Sequence, residues 1–197
     1  MNKIQLHGIL KDIEYSHTTN NIEFYKAHLL VTKENKKEDL LNIKFKRFSN
    51  PYKENDKVSI IGNIRTFSEK RVDGTNKVEV YVFTYFDEPE TEEVDLVELD
   101  GRLCKSNGLR KTKNGKDVID FILANTIENE NGKNINCYIP CVAWGKQAKQ
   151  IAELPLNSKL EIKGQLVSRE YKKLIPDNEI EIRVAHEVNI NEFIILN

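Results

Sequence analysis

An all-β chain of two five-stranded Greek-key barrels in tandem, with one short helix in the second, is the fold this sequence predicts. Three observations carry the expectation. A length of 197 residues suits two cores of roughly 100 residues each. Two landmarks recur in the same order, Leu6-His7-Gly8-Ile9-Leu10 echoed by Leu99-Asp100-Gly101-Arg102-Leu103, and Val58-Ser59-Ile60-Ile61-Gly62-Asn63-Ile64 echoed by Leu160-Glu161-Ile162-Lys163-Gly164-Gln165-Leu166. Between them, apolar and polar residues alternate with period two, the mark of half-buried strands.

Taken in order, the first half offers strands around Leu6–Leu10, Tyr25–Thr32, Leu41–Phe48, Val58–Ile64 and Val78–Tyr85. The second repeats the set at Leu99–Leu103, Val118–Asn125, Cys137–Trp144, Leu160–Leu166 and Glu179–Val188. Turns are expected at Thr19-Asn20-Asn21, Asp73-Gly74-Thr75, Asn114-Gly115 and Asn131-Gly132. Gly101 and Gly164 interrupt strand patterns, where a missing side chain permits the sharp bend or bulge of a small barrel's corner. After Trp144-Gly145-Lys146, the residues Ala148, Ile151 and Ala152 share a helical face and Pro155 stops the run, so the helix lies between the third and fourth strands. The equivalent stretch from Phe48 to Gly62 is shorter and contains Asn50-Pro51 and Asn55-Asp56, which predicts a loop.

Charge is unevenly distributed. Residues 1–86 hold 15 Lys and Arg against 11 Asp and Glu, and residues 101–197 hold 15 against 12. Residues 87–100 carry eight acids and no base. An acidic run with proline resists burial, which predicts a first domain over 1–86, a linker over 87–96 and a second domain over 97–197. No apolar run approaches the roughly 18 residues a membrane span needs, and the opening Met1-Asn2-Lys3-Ile4-Gln5 is not an apolar leader. The expectation is a cytoplasmic protein with no membrane partner. Cys104, Cys137 and Cys141 have no CxxC spacing or nearby His cluster, which supports neither a disulfide framework nor a metal site.

The strand faces carry the chemistry. Ile139, Cys141 and Ala143 make a small apolar face, while Tyr138, Pro140, Val142 and Trp144 make the other. Past Gly164, Val167, Arg169 and Tyr171 continue outward with Lys172 and Lys173 beside them. Rings beside cations suit an unpaired nucleic acid strand, since every base has a face to stack and Lys or Arg neutralises phosphate. The turn Leu109-Arg110-Lys111-Thr112-Lys113-Asn114-Gly115-Lys116 adds four cations, of which Arg110, Lys111 and Lys113 are candidates. In the first half Lys44, Lys46 and Phe48 share a face opposite Ile43 and Phe45, and Arg65 and Phe67 follow Gly62. That face is expected to be more basic, less aromatic and uncompensated by acids. Packing is the alternative role for each ring, with Trp144 as a barrel cap and Tyr171 at a hairpin edge.

Residues 97–195 resemble the bacterial and phage single-stranded DNA-binding proteins, the SSB family of OB-folds. The resemblance rests on Leu99-x-Gly101-Arg-Leu103, the turn Leu109-Arg110-x-Thr112-x-x-Gly115 followed by Phe121-x-Leu123-Ala124, the segment Tyr138-Ile-Pro-Cys-Val-Ala-Trp144-Gly145-Lys146-x-Ala148, and Gly164-Gln-Leu-Val-Ser-Arg169-Glu-Tyr171. Residues 3–86 are similar to the same fold more weakly, with Phe48 where Trp144 sits and Glu69 where Tyr171 sits. The resemblance implies two tandem OB-folds and base stacking by Tyr138, Trp144, Tyr171 and Phe48. A further stacking aromatic of the family has no counterpart at Ile127-Glu128-Asn129. The family's tail with an acidic tip is not matched by Phe193-Ile-Ile-Leu-Asn197, and the acidic stretch 87–100 is a candidate to occupy a basic groove in its place.

These readings converge on a binder of single-stranded DNA with little sequence preference, requiring no cofactor and acting on no small-molecule substrate. His7, His17, His28 and His186 are scattered, and neither a nucleophile-base order nor a glycine-rich phosphate loop is present, so no catalytic site is expected. Family analogy implies a homodimer presenting four OB-folds. The rival expectation is an OB-fold assembly module that binds protein or RNA, in the manner of primosome accessory proteins.

Overall fold

The computed structural model describes residues 1–33, 35–47, 52–70, 76–84, 95–129, 132–174 and 179–196. Its first five strands are β1 (Asn2–Thr19), β2 (Ile22–Thr32), β3 (Glu38–Lys46), β4 (Lys57–Lys70) and β5 (Asn76–Thr84). They close in the order β1-β2-β3-β5-β4 and back to β1, with every pairing antiparallel except β3–β5. The second set is β6 (Leu96–Lys111), β7 (Asp117–Glu128), β8 (Asn134–Trp144), β9 (Lys159–Leu174) and β10 (Ile180–Leu196). It closes in the equivalent order β6-β7-β8-β10-β9, again with one parallel contact, β8–β10. The helix α1 (Gly145–Ala152) lies between β8 and β9 and buries Ala148 and Ile151, as its spacing predicts. Residues 52–56 of the equivalent first-half connection are not helical. The turn Asp73-Gly74-Thr75, Asn131, Tyr85 and the acidic stretch 87–94 lie outside the described residues.

Alternation produces the cores. Leu6, Leu29, Leu41, Ile60 and Val82 fill the first, and Leu99, Leu123, Ile139 and Ile162 the second, each no more than 1% exposed. Burial of such a side chain stabilises by about 1.5–3 kcal/mol. The repeat extends to the loops: Leu10 exchanges backbone hydrogen bonds with Asn55 and Asp56, and Leu103 does the same with Asn157 and Ser158.

The landmark glycines also let neighbouring backbones come close. A Cβ on Gly62 would stand 2.3 Å from the Phe83 carbonyl oxygen, and one on Gly164 would stand 2.2 Å from that of Asn189. The β10–β9 register shift between Ile190 and Glu192 lies opposite the Gly164–Lys163 step, as the sequence predicts, while the β6–β7 shifts fall at Leu103/Lys105 and Ser106/Leu109, past Gly101. Close approach of neighbouring backbones demands glycine at Gly62 and Gly164, and at Gly164 a bulge of β10 accompanies it.

The barrels share a sheet. Asn2 to Gln5 of β1 pair antiparallel with Leu99 to Leu96 of β6, which joins all ten strands. The buried Asn2 side chain copies a strand edge, accepting from the Ile64 N–H and donating to the Ile64 carbonyl at 2.8 Å each. It also donates to Asn125 at 2.8 Å. On another side, part-buried Lys33 bridges Asp39 of the first barrel and Asp95 of the second. Ser168 bonds Asp39, and the half-buried His186 donates Nε2–H to the Leu40 carbonyl at 2.9 Å. Charges this buried are costly unless paired and hydrogen-bonded, so these contacts favour one arrangement of the barrels.

Candidate nucleic-acid interface

Register fixes which side chains share the second barrel's outer face. On β8, Cys137, Ile139, Cys141 and Ala143 enter the core, which turns Tyr138, Pro140, Val142 and Trp144 outward. Across β7 their partners are Ala124, Ile122, Asp120 and Val118, and Arg110 of β6 joins the Val118–Trp144 row. On the other flank Val142 faces Asn189 of β10. The β10–β9 ladder then runs Asn189↔Gln165, Glu187↔Val167, Ala185↔Arg169 and Arg183↔Tyr171. Tyr138, Trp144 and Tyr171 therefore occupy one continuous face. Strand rise separates Tyr138 from Trp144 by roughly 20 Å along β8, with Tyr171 beyond the Tyr138 end.

The three rings differ in readiness. Tyr138 is 51% exposed and Tyr171 36%, whereas Trp144 is half-buried and donates Nε1–H to Asn189 Oδ1 at 3.0 Å. That bond holds the indole plane while Lys116 lies 5.2 Å from the ring centroid. The Arg169 guanidinium lies 5.9 Å from the Tyr171 ring, within reach of a cation–π contact.

The cations are not bare. Arg110 donates Nε and Nη2 to Asp120 Oδ2 at 3.0 and 2.5 Å, and Arg169 donates the same pair of groups to Glu187 at 3.1 and 3.3 Å. Glu187 holds the Arg169 proton more firmly than usual, despite partial burial. Lys111 and Lys149 both pair with Asp117, whose carboxyl these two hydrogen bonds hold below its ordinary range. Lys113 and Lys172 are exposed. The basic turn thus brings Lys116, rather than Lys111, over the indole.

On the first barrel the expectation of an uncompensated, weakly aromatic face is corrected. Lys44 lies 3.0 Å from Glu79 and 4.1 Å from the centroid of Tyr81, while Arg65 lies 4.0 Å from that of the buried Phe83. Alternation sends Val80 and Val82 inward, so Glu79 and Tyr81 come out beside Lys44 while Phe83 lies buried against Arg65. The signal was present in the sequence, but the pairing of β5 with β3 and β4 was needed to use it. Lys46 is half-buried, Phe67 is 55% exposed, and Phe48 lies outside the described residues. Burial pushes the Tyr81 hydroxyl's pKa up. A cleft of about 790 Å³ between the barrels is lined by Lys44 and Glu79 from one side and Pro140, Tyr171 and Arg183 from the other. Two predicted residues distant in sequence, Lys44 and Tyr171, thereby line one cleft.

Among the described residues no cluster of three or more His, Cys, Asp or Glu could hold a metal ion, and no helix is long and apolar enough to cross a membrane. A match to the Single-strand binding protein family covers residues 94–194, just over half of the chain. The chain belongs to that family. Single-stranded DNA-binding protein A of Bacillus subtilis is 39% identical over 82 residues, which are 40% of this chain and 48% of that protein. Single-stranded DNA-binding protein 2 of Listeria monocytogenes is 38% identical over 82 residues, 40% of this chain and 51% of the relative. The chain spans about half the length of the curated relatives it matches. The structure of the wild-type single-stranded DNA binding protein from Thermus aquaticus superposes with a TM-score of 0.72 at 20% identity, covering 100% of this chain and 93% of that one. At that identity the likeness speaks for the fold, and it reaches the first barrel, which the family match leaves out.

Proposed function

We propose that this chain binds single-stranded DNA largely without sequence preference, protecting it in replication, recombination or repair in the cytoplasm, and breaks no bond. The observation that supports this best is the single face of β7, β8, β10 and β9 carrying Tyr138, Trp144 and Tyr171 with Arg110, Lys116 and Arg169 beside them. A stacked base is worth ~1–3 kcal/mol whatever its identity, which makes such a face tolerant of sequence. Relatives named for single-stranded DNA binding add weight. The first barrel extends the surface through Lys44, Lys46, Arg65 and Phe67, and linked folds bind more tightly through effective concentration. A homodimer would present four barrels.

The test is a titration with poly-dT that follows the lone tryptophan. Quenching of Trp144 and a log K that falls with log salt, by roughly 0.7 per neutralised phosphate, is the expected result. An unquenched Trp144 together with salt-insensitive binding to a protein partner would overturn it in favour of an assembly module. Solution mass with and without oligonucleotide checks the dimer.

A further inference from the structure

Two arginines of the second barrel's face, Arg110 and Arg169, each lie over a carboxylate. The Asp120 side chain is 28% exposed against 53% for Arg110, and Glu187 is 13% exposed against 53% for Arg169. Both guanidiniums are gripped side-on through Nε and Nη2, which leaves the Nη1 end out of each pair. In register, Asp120 is level with Val142, and Glu187 lies in the ladder step next to Asn189, so both acids fall in the strip between Tyr138 and Trp144. Asp120 receives both N–H groups on one oxygen and Glu187 one on each oxygen, but in both pairs the acid lies deeper than the arginine it holds, unlike the more exposed Glu181 that pairs with Arg183.

We propose that Asp120 and Glu187 act as built-in counter-anions that hold Arg110 and Arg169 in place for phosphate and at the same time limit how tightly the face grips DNA. The inference rests on the DNA-binding reading above. A phosphate arriving at the Nη1 end meets a guanidinium whose charge is already matched. Its attraction is that of a dipole plus a hydrogen bond, not of a free cation, and fewer counterions leave the DNA per contact. Such a face holds the strand mainly by its rings, binds with a shallow salt dependence, and releases it readily to another protein.

The experiment compares the full chain with Asp120→Asn, Glu187→Gln, the double variant, and Glu98→Gln as a charge control. Glu98 pairs with Lys163 across the β6–β9 ladder, 3.3 Å apart. Binding to labelled poly-dT is read by anisotropy over a salt series, so that a change in the indole's surroundings does not enter. Each face variant is expected to bind about fivefold tighter at low salt, with a log-log slope steeper by ~0.7 for each freed arginine. Glu98→Gln is expected to stay near wild type. Face variants that keep their thermal melt yet bind like wild type, or more weakly, overturn the proposal, as does an equal gain in Glu98→Gln. A wild-type chain that binds no oligonucleotide at all overturns the DNA-binding reading and this inference with it.

Discussion

Ser168 in β9 donates both its backbone N–H and its hydroxyl to one oxygen of Asp39 in β3, each at 2.9 Å. Asp39 is fully buried, and Lys33 and Lys37 also reach it. Residues 129 positions apart, one in each barrel, thus close a polar cluster at the seam. Removal of Asp39 leaves the Ser168 donors without their acceptor and Lys33 with Asp95 alone, which costs about 1–3 kcal/mol. Asp39→Ala should lower the unfolding free energy by that amount in urea, and Ser168→Ala by about 1–2 kcal/mol. A loss below ~1 kcal/mol in Asp39→Ala would show that the cluster does not hold the seam.

The same seam should govern the acid limb of stability. Burial pushes the Asp39 carboxyl up, but hydrogen bonds from Ser168 and Lys37 outweigh it and hold the pKa below its ordinary 3.8. Its contribution is present above pH 3.8 and is lost as pH falls through the lower folded value. Burial lowers the His186 pKa from its ordinary 6.5, against the opposing bond to Leu40. The unfolded chain therefore takes up that proton first, and stability falls as pH drops below 6.5. In a pH series of unfolding free energies, His186→Gln should flatten the curve just below 6.5 and Asp39→Asn below 3.8.

Trp144→Ala should weaken poly-dT binding by ~1–3 kcal/mol, the worth of one stacking platform. Lys111→Ala should cost less than about threefold, because Asp117 already matches that charge. Equilibrium titration of both variants at one salt concentration ranks them, and the opposite order would count against stacking as the main source of affinity.

Gly164→Ala tests the barrel corner. The added methyl cannot coexist with the Asn189 carbonyl 2.2 Å away, so strands β9 and β10 must separate locally, at a cost of about 2–3 kcal/mol. Urea denaturation of the variant measures this, and a near-neutral result would mean the corner is looser than its geometry.

Thiol labelling offers a check on burial. Cys104 is exposed while Cys137 and Cys141 are buried, and burial pushes both buried thiols' pKa values up. Only the thiolate reacts, so a native-state titration with a thiol reagent should count one cysteine, rising to three in denaturant.

Much of the architecture was legible in local pattern. Period-two alternation placed all ten strands, the Ala148/Ile151 spacing placed the helix, and the repeated glycine landmarks announced two copies of one barrel, because each of these depends on residues close in the chain. The outward parity of Tyr138 and Trp144 followed for the same reason. Charge pairing was a different matter. Asp120 lies 10 residues from Arg110 and Glu187 lies 18 from Arg169, and only strand register decides that they meet, so a count of cations overstated how basic the face is. Tyr81 became part of the first face through the parallel neighbour β3, and the Lys33–Asp39–Asp95–Ser168 cluster exists only because the barrels pack. Alternation is a property of a single strand, which a sequence records; the partner of a charge is set by closure of the sheet, and that belongs to the folded chain.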